Sequence, residues 1–206
     1  MQNISDTNIQ ERGRQLEELH AVMRQCVRCP LYLRRNNVVT GEGNPVADVM
    51  LIGDSPGRED DKSGLCFYGR SGKILDRLLA DLGLTREQVY LTNAIKCRVP
   101  ARRLPHVGEI ETCKHLWLER QIEIVDPSYI VLMGRFAAVS LLGKKEPLKV
   151  LRKEIHHHDG RQILITYHPS AALRFTALSR EMKDDFKMLA KVMRKDHAIA
   201  ERSPVV

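Results

Sequence analysis

Four short apolar runs, separated by stretches of helical periodicity, constrain the fold of this chain more than any other feature. The apolar runs lie at residues 47–52, 89–92, 129–133 and 162–166. Apolar residues at helical spacing lie between them, at 71–82, 108–125 and 134–142. Strands that alternate with helices favour a parallel sheet covered on both faces. We therefore predict an α/β fold with three layers, α/β/α, around a central and mainly parallel sheet of four strands.

The chain length and its two ends indicate one domain. The 206 residues suit a single core, so we predict that residues 1–206 form one domain. We expect an N-terminal helix within residues 1–25, a last helix over 179–194 and a flexible tail at 197–206.

An Asp159-Gly160 turn between two extended runs predicts a β-hairpin. Without a signal sequence or an apolar run of membrane-spanning length, the protein is expected to be cytoplasmic.

The charge balance leaves two interpretations open. Lysine and arginine number 33 against 26 acidic residues, which gives a formal net charge of +7. Such a balance favours polyanionic partners, nucleic acid above all. A basic surface without a nucleic-acid partner fits the same composition.

Polar side chains follow three of the predicted strands. Asp54 and Ser55 come after the first strand, Asn93 ends the second, and His168 follows the fourth. Because ligands bind beyond the carboxyl ends of parallel strands, we expect an acid, an amide and an imidazole to converge at one edge. Each residue also has a structural alternative: Asn93 and His168 as loop residues, and Asp54 as a cap on a backbone turn.

The cysteines suggest a metal centre. Cys26 and Cys29 form a C-x-x-C pair, and Cys97 and Cys113 lie sixteen residues apart. Zinc ribbons usually carry two close pairs, whereas four thiolates from three segments suit a [4Fe–4S] cluster. Buried, inert cysteines are the alternative. Cys66 stands apart and is expected to serve in packing.

Several segments together carry a family signature. They read CVRCPL at 26–31, GDSPG at 53–57, FYGRSG at 67–72, TNAIKCR at 92–98, YHPS at 167–170 and LR at 173–174. Over most of its length the chain resembles the family 4, iron–sulfur uracil-DNA glycosylases. The resemblance implies a DNA repair enzyme that hydrolyses the N-glycosidic bond of uracil and leaves an abasic site. It also implies a [4Fe–4S] cluster on Cys26, Cys29, Cys97 and Cys113.

The same resemblance implies roles for the residues of the pocket. Phe67 would stack on the flipped uracil, and Asn93 would read its polar edge. His168 would stabilise the charge that develops on the leaving base, while Asp54 would hold the attacking water. The nearby carboxylates Glu59, Asp60 or Asp61 could share the work of Asp54. Two more residues, Ser55 and Tyr68, would line the substrate pocket.

DNA itself would be held by residues at the mouth of the pocket. Three arginines in a proline-containing loop, Arg98, Arg102 and Arg103, would contact phosphates. The segment that follows His168 would probe the base stack through Ser170, Leu173 and Arg174, with Leu173 as the wedge. The partner implied is uracil-containing DNA, without a membrane, and the protein would act as a monomer.

Two departures from the family pattern keep alternatives open. Asp54 stands where the family usually has Glu, and Cys66-Phe67-Tyr68-Gly69 replaces the usual Pro-Phe-Val-Gly. The shorter Asp54 would move the water, and Tyr68 would add bulk and a hydroxyl near the pocket. An iron–sulfur protein that binds lesions with weak activity is therefore one alternative. A glycosylase for another deaminated base, such as hypoxanthine, is a second.

Overall fold

A six-stranded sheet forms the centre of the molecule. The computed structural model describes residues 4–101 and 103–202. The strands are β1 (Glu42–Gly43), β2 (Val49–Gly53), β3 (Tyr90–Asn93), β4 (Tyr129–Met133), β5 (Ile155–His158) and β6 (Arg161–Thr166). They lie in the order β1-β3-β2-β4-β6-β5. The four inner strands are parallel, and the two edge strands are antiparallel to their neighbours.

The four predicted parallel strands are confirmed, but the sheet is wider than predicted. The β5–β6 pair is the hairpin expected around Asp159 and Gly160. The other edge strand, β1, was missed because two residues are too few to show a period of two. A sheet of six strands therefore replaces the predicted four.

Helices cover both faces of this sheet. They are α1 (Ile4–Arg24), α2 (Arg58–Ser63), α3 (Arg70–Asp81), α4 (Val107–Cys113), α5 (Glu119–Val125), α6 (Arg135–Leu142), α7 (Leu148–Leu151), α8 (Pro169–Ala172) and α9 (Thr176–Arg202). A π-helical turn at Lys114–Leu118 joins α4 to α5. Helix α9 continues to Arg202, so residues 197–202 of the predicted tail are helical. Residues 203–206 lie outside the described part, and a flexible tail there stays a prediction.

Alternate residues of the strands point into two separate cores. On one face, Leu51 and Val131 pack with residues of α3 and α9. On the other face, Met50 and Ile130 pack with residues of α1, α5 and α6. This alternation is the pleat of a sheet that is buried on both sides, and it confirms the three layers. Within the described residues, no helix has the length and apolar character needed to cross a bilayer.

Asp61 ties α2 to the segment that precedes β1. Its side chain is fully buried. One carboxylate oxygen accepts the backbone N–H of Asn36 at 2.9 Å, and the other accepts Asn36 Nδ2 at 2.6 Å. A buried carboxylate that is satisfied in this way fixes the two segments relative to each other.

We predict that Asp61→Ala lowers the free energy of unfolding by about 1.5–3 kcal/mol, because it removes the hydrogen bonds that the buried carboxylate accepts from Asn36. Asp81→Ala is the matched control: Asp81 is exposed and its carboxylate lies 3.6 Å from Lys183 Nζ, so its loss should change stability by less than about 1 kcal/mol. Urea unfolding of both variants makes the comparison. Equal midpoints would contradict the tie assigned to Asp61.

Candidate active site and cysteine cavity

Gly53, the last residue of β2, lies at the centre of the candidate site. It pairs in register with Asn93 at the end of β3. A Cβ atom on Gly53 would lie 2.4 Å from Asn93 Oδ1 and 2.7 Å from Phe67 Cζ. The Phe67 ring in turn stacks on His168, with ring centroids 5.7 Å apart and planes inclined by 29°. The expected convergence of amide and imidazole is therefore present, with an aromatic ring between them.

Asn93 is held from two sides. Its side chain is buried, and Nδ2 points to Cys66 Sγ at 3.8 Å. Its backbone carbonyl accepts a hydrogen bond from Lys96 Nζ at 2.7 Å. Cys66, expected only to pack, is thus a neighbour of the amide. The contact with Cys66 orients the side-chain amide, and the hydrogen bond from Lys96 fixes the backbone that carries it.

Sequence reasoning missed Lys96. Its ammonium group is fully buried and also donates to Thr92 Oγ1 and Gln121 Oε1. Burial lowers the pKa of Lys96 to about 8. The signal in the sequence was a lone lysine within a run that is otherwise apolar or small, directly after the second predicted strand.

His168 is a neutral imidazole with a defined tautomer. Its Nδ1 atom accepts the backbone N–H of Ser170 at 3.2 Å and lies 2.8 Å from Ser170 Oγ. Since a backbone N–H can only donate, the ring proton is on Nε2. Burial lowers the pKa of His168 to about 4, although the nearby charge of Asp60 opposes this shift. At neutral pH, Nε2–H is therefore a hydrogen-bond donor on an uncharged ring.

The two candidate carboxylates are in different environments. Asp54 Oδ1 accepts the N–H of Ala137, in the first turn of α6, at 2.9 Å. Burial raises the pKa of Asp54 to about 7, and hydrogen bonds from Ala137 and Phe136 oppose the rise. In Asp60, Oδ2 accepts the Gly57 N–H and Oδ1 the Tyr68 N–H, both at 2.8 Å. Both oxygens of Asp60 already accept backbone N–H groups. The geometry therefore favours Asp54 as the carboxylate that could contact water.

Ser55 and Tyr68 flank this site. Ser55 is half-buried directly after Asp54. The Tyr68 side chain is 61% exposed, although its backbone N–H is fixed by Asp60. Their substrate-binding roles stay predictions.

The residues predicted to contact DNA fall into separate groups. Ser170, Leu173 and Arg174 are exposed beside His168, and the neighbouring Phe175 is a large exposed residue that sequence reasoning did not single out. Arg103, by contrast, forms two hydrogen bonds with the buried carboxylate of Glu109, at 2.7 and 2.8 Å. This pair makes Arg103 part of the loop structure and less free for phosphates. Arg98 is half-buried, and Arg102 lies outside the described residues.

Four cysteines from three segments line one small cavity. Cys26 and Cys29 follow α1, Cys97 follows β3, and Cys113 ends α4; Lys96, Arg35 and Trp117 are among the other residues of the lining. All four are free thiols. Burial raises the pKa of Cys113 to about 12, so an added positive charge would be needed to hold it as a thiolate. Lys96 is the cation that lowers the pKa of Cys113 against this effect, and Arg35 Nη1, 3.4 Å from Cys97 Sγ, lowers the pKa of Cys97 in the same way.

The four thiols have the donor chemistry of an iron–sulfur cluster. They come from three segments of the chain and line one cavity. Four cysteine thiolates are the ligand set of [4Fe–4S], so these residues fit such a group.

Comparison with known proteins agrees with this geometry. A sequence model of the uracil DNA glycosylase superfamily matches residues 40–192. The type-4 uracil-DNA glycosylase of Thermotoga maritima is 39% identical over 178 residues, which cover 84% of this chain and 92% of that protein. The type-4 enzyme of Archaeoglobus fulgidus is 35% identical, covering 86% of this chain and 94% of its own length. The chain therefore belongs to the type-4 uracil-DNA glycosylases, within the uracil-DNA glycosylase superfamily.

Proposed function

We propose that this protein is a DNA repair enzyme that hydrolyses the N-glycosidic bond of uracil in DNA and leaves an abasic site. The observation that carries the proposal is the meeting of Asn93, Phe67 and His168 around Gly53 at the carboxyl edge of the sheet. The chain matches relatives named type-4 uracil-DNA glycosylase along nearly their whole length, which supports the proposal. Uracil in DNA has to leave the base stack to reach such a pocket.

Uracil is recognised by stacking and by hydrogen bonds to its edge. The flipped base stacks on Phe67, whose ring is already fixed against His168. The Asn93 amide donates to uracil O4 and accepts from N3–H. Cytosine presents the opposite pattern at these positions, so an amide with a fixed orientation rejects it. The contact of Asn93 Nδ2 with Cys66 Sγ supports that fixed orientation.

The leaving uracil carries negative charge, and the sugar carries positive charge. His168 donates Nε2–H to uracil O2 as the bond breaks, and this hydrogen bond strengthens because negative charge develops on O2. Asp54 in its ionised form stabilises the sugar cation and orients the water that attacks the anomeric carbon. Asp60 holds the loop around the pocket and does not act on water.

DNA binding rests on the exposed segment after His168. Leu173 wedges into the base stack, while Ser170 and Arg174 contact the backbone. Arg98 adds positive charge at the same edge. The expectations of a monomer and of a cytoplasmic location stay predictions.

The four cysteines hold a [4Fe–4S] cluster in this proposal. When bound, it would supply structural links: Cys26 and Cys29 after α1, Cys97 in the loop after β3 and Cys113 at the end of α4 would hold it. Lys96 and Arg35 would offset the negative charge of the thiolates. Holding the cluster would thereby fix these segments relative to one another.

The activity is tested with oligonucleotides that contain a single uracil, hypoxanthine or xanthine. We expect abasic sites from the uracil substrate, and His168→Ala should slow single-turnover cleavage by about 10²–10³-fold, since one donor to the developing charge is lost. Asn93→Asp should also slow cleavage, because an ionised carboxylate cannot donate to O4. His157→Ala, on the exposed side of β5, is the control for both. If no uracil is released, or if hypoxanthine is the better substrate, the proposed function is wrong.

The pH profile tests Asp54. With a pKa of about 7, Asp54 is ionised to about one tenth at pH 6 and nine tenths at pH 8, while His168 stays neutral throughout. We expect the single-turnover rate at saturating DNA to rise about tenfold over this range. Asp54→Asn should be slow and independent of pH. A flat profile for the native protein would contradict the role given to Asp54.

The cluster is tested by metal analysis. Protein purified without oxygen should be brown and contain about four irons per chain. Cys113→Ser should reduce the iron content sharply, whereas Cys66→Ser should leave it unchanged, because Cys66 does not line the cavity. A colourless protein with one zinc would overturn the proposal.

A further inference from the structure

The backbone at Phe67 adopts a conformation that its neighbours must enforce. Its φ of +49° is in the left-handed region, which side chains larger than that of glycine seldom adopt outside turns. Its ring is nevertheless buried, 2% exposed, and stacks on His168. Strained backbone of this kind persists only where the surrounding contacts determine it.

One arginine outside the pocket holds this backbone. Arg86 Nη1 donates to the carbonyl of Cys66 at 3.1 Å, and Nη2 donates to the carbonyl of Phe67 at 2.8 Å. The planar guanidinium thus binds two successive carbonyls with a rigid fork, a geometry that a lysine cannot reproduce. Gly72 allows the close approach, because a Cβ there would lie 1.7 Å from the Phe67 carbonyl oxygen.

Arg86 is itself fixed in position. Its Nε donates to Asp76 Oδ1 of α3 at 2.6 Å, and Glu42 of β1 lies 3.8 Å from Nη1. On the other side of the loop, Asp60 binds the N–H of Tyr68. The backbone around Phe67 is therefore held through its carbonyls by Arg86 and through the following amide by Asp60.

We propose that Arg86 is a positioning residue of the uracil site, which acts by holding the Phe67 ring at the distance where uracil stacks. Arg86 is engaged with backbone and carboxylates and does not contact the base. The proposal rests on the proposed function, because the planar ligand of Phe67 is taken to be uracil. Its specific consequence is that the loss of Arg86 weakens binding of the base more than binding of the DNA strand.

The experiment uses the full-length protein with Arg86→Ala, Arg86→Lys and the control Arg77→Ala, an exposed arginine of α3. Three quantities are measured: single-turnover uracil release, inhibition by free uracil, and affinity for a uracil-free oligonucleotide. Arg86→Ala should slow release and raise the inhibition constant of free uracil, each by about 10- to 100-fold, as expected for a misplaced binding group. Affinity for the uracil-free strand should stay within about twofold, since phosphate contacts are untouched.

For Arg86→Lys, the rate of uracil release and the inhibition constant of free uracil should lie between those of the native protein and of Arg86→Ala. One ammonium group can hold only one of the two carbonyls well. If Arg86→Ala does not fold, Arg86→Lys decides: native-like inhibition by free uracil overturns the proposal, and weakened inhibition supports it. A loss of strand affinity equal to the loss of uracil inhibition also overturns it, because that result indicates general distortion. If the native protein releases no uracil, the proposed function is wrong, and that result does not depend on Arg86.

Discussion

The register between β2 and β3 places Gly53 beside Asn93, and the whole candidate site is built around that pair. Because Gly53 lacks a side chain, the Asn93 amide and the Phe67 ring can both approach the same backbone. His168, carried by the end of β6, then closes the arrangement by stacking on Phe67. A shift of β2 by one residue would reverse the direction of every side chain and remove this close approach.

The acidic residues of the segment after β2 act as structural ties as well as candidate catalysts. Asp54 accepts an N–H from the first turn of α6, Asp60 holds the loop on both sides of α2, and Asp61 binds the segment before β1. Each carboxylate therefore joins the strand end to a different element. A site that must hold a flat base firmly benefits from such rigidity, since catalysis depends on groups that are positioned in advance.

Buried cations connect the pocket to the cysteine cavity. Lys96 contacts the Asn93 carbonyl and also lines the cavity with Cys97 and Cys113. Arg35, which is half-buried, also contacts Cys97. A buried ammonium is unfavourable unless it is paired or hydrogen-bonded, so the polar groups around Lys96 are as necessary as the lysine itself.

The sequence by itself determined the order of elements, the four parallel strands and the residues that meet at their carboxyl ends. Periodicity of apolar residues is a local property. Because the carboxyl ends of parallel strands lie at one edge of the sheet, Asn93 and His168 are then expected at that edge. The four cysteines could likewise be selected by their spacing and by the family resemblance. Phe67 could be identified from its sequence motif alone.

Only the tertiary structure decided what each of these side chains contacts. The pairing of Arg103 with Glu109, the hydrogen bond from the Tyr68 amide to Asp60 and the fork of Arg86 under Phe67 join residues through geometry that has no local sequence pattern. The same holds for the acidity of Asp54 and the tautomer of His168, which depend on burial and on individual backbone amides. Periodicity reports which face of an element is buried, whereas hydrogen bonds and pKa values depend on distances of a few ångström that only packing sets.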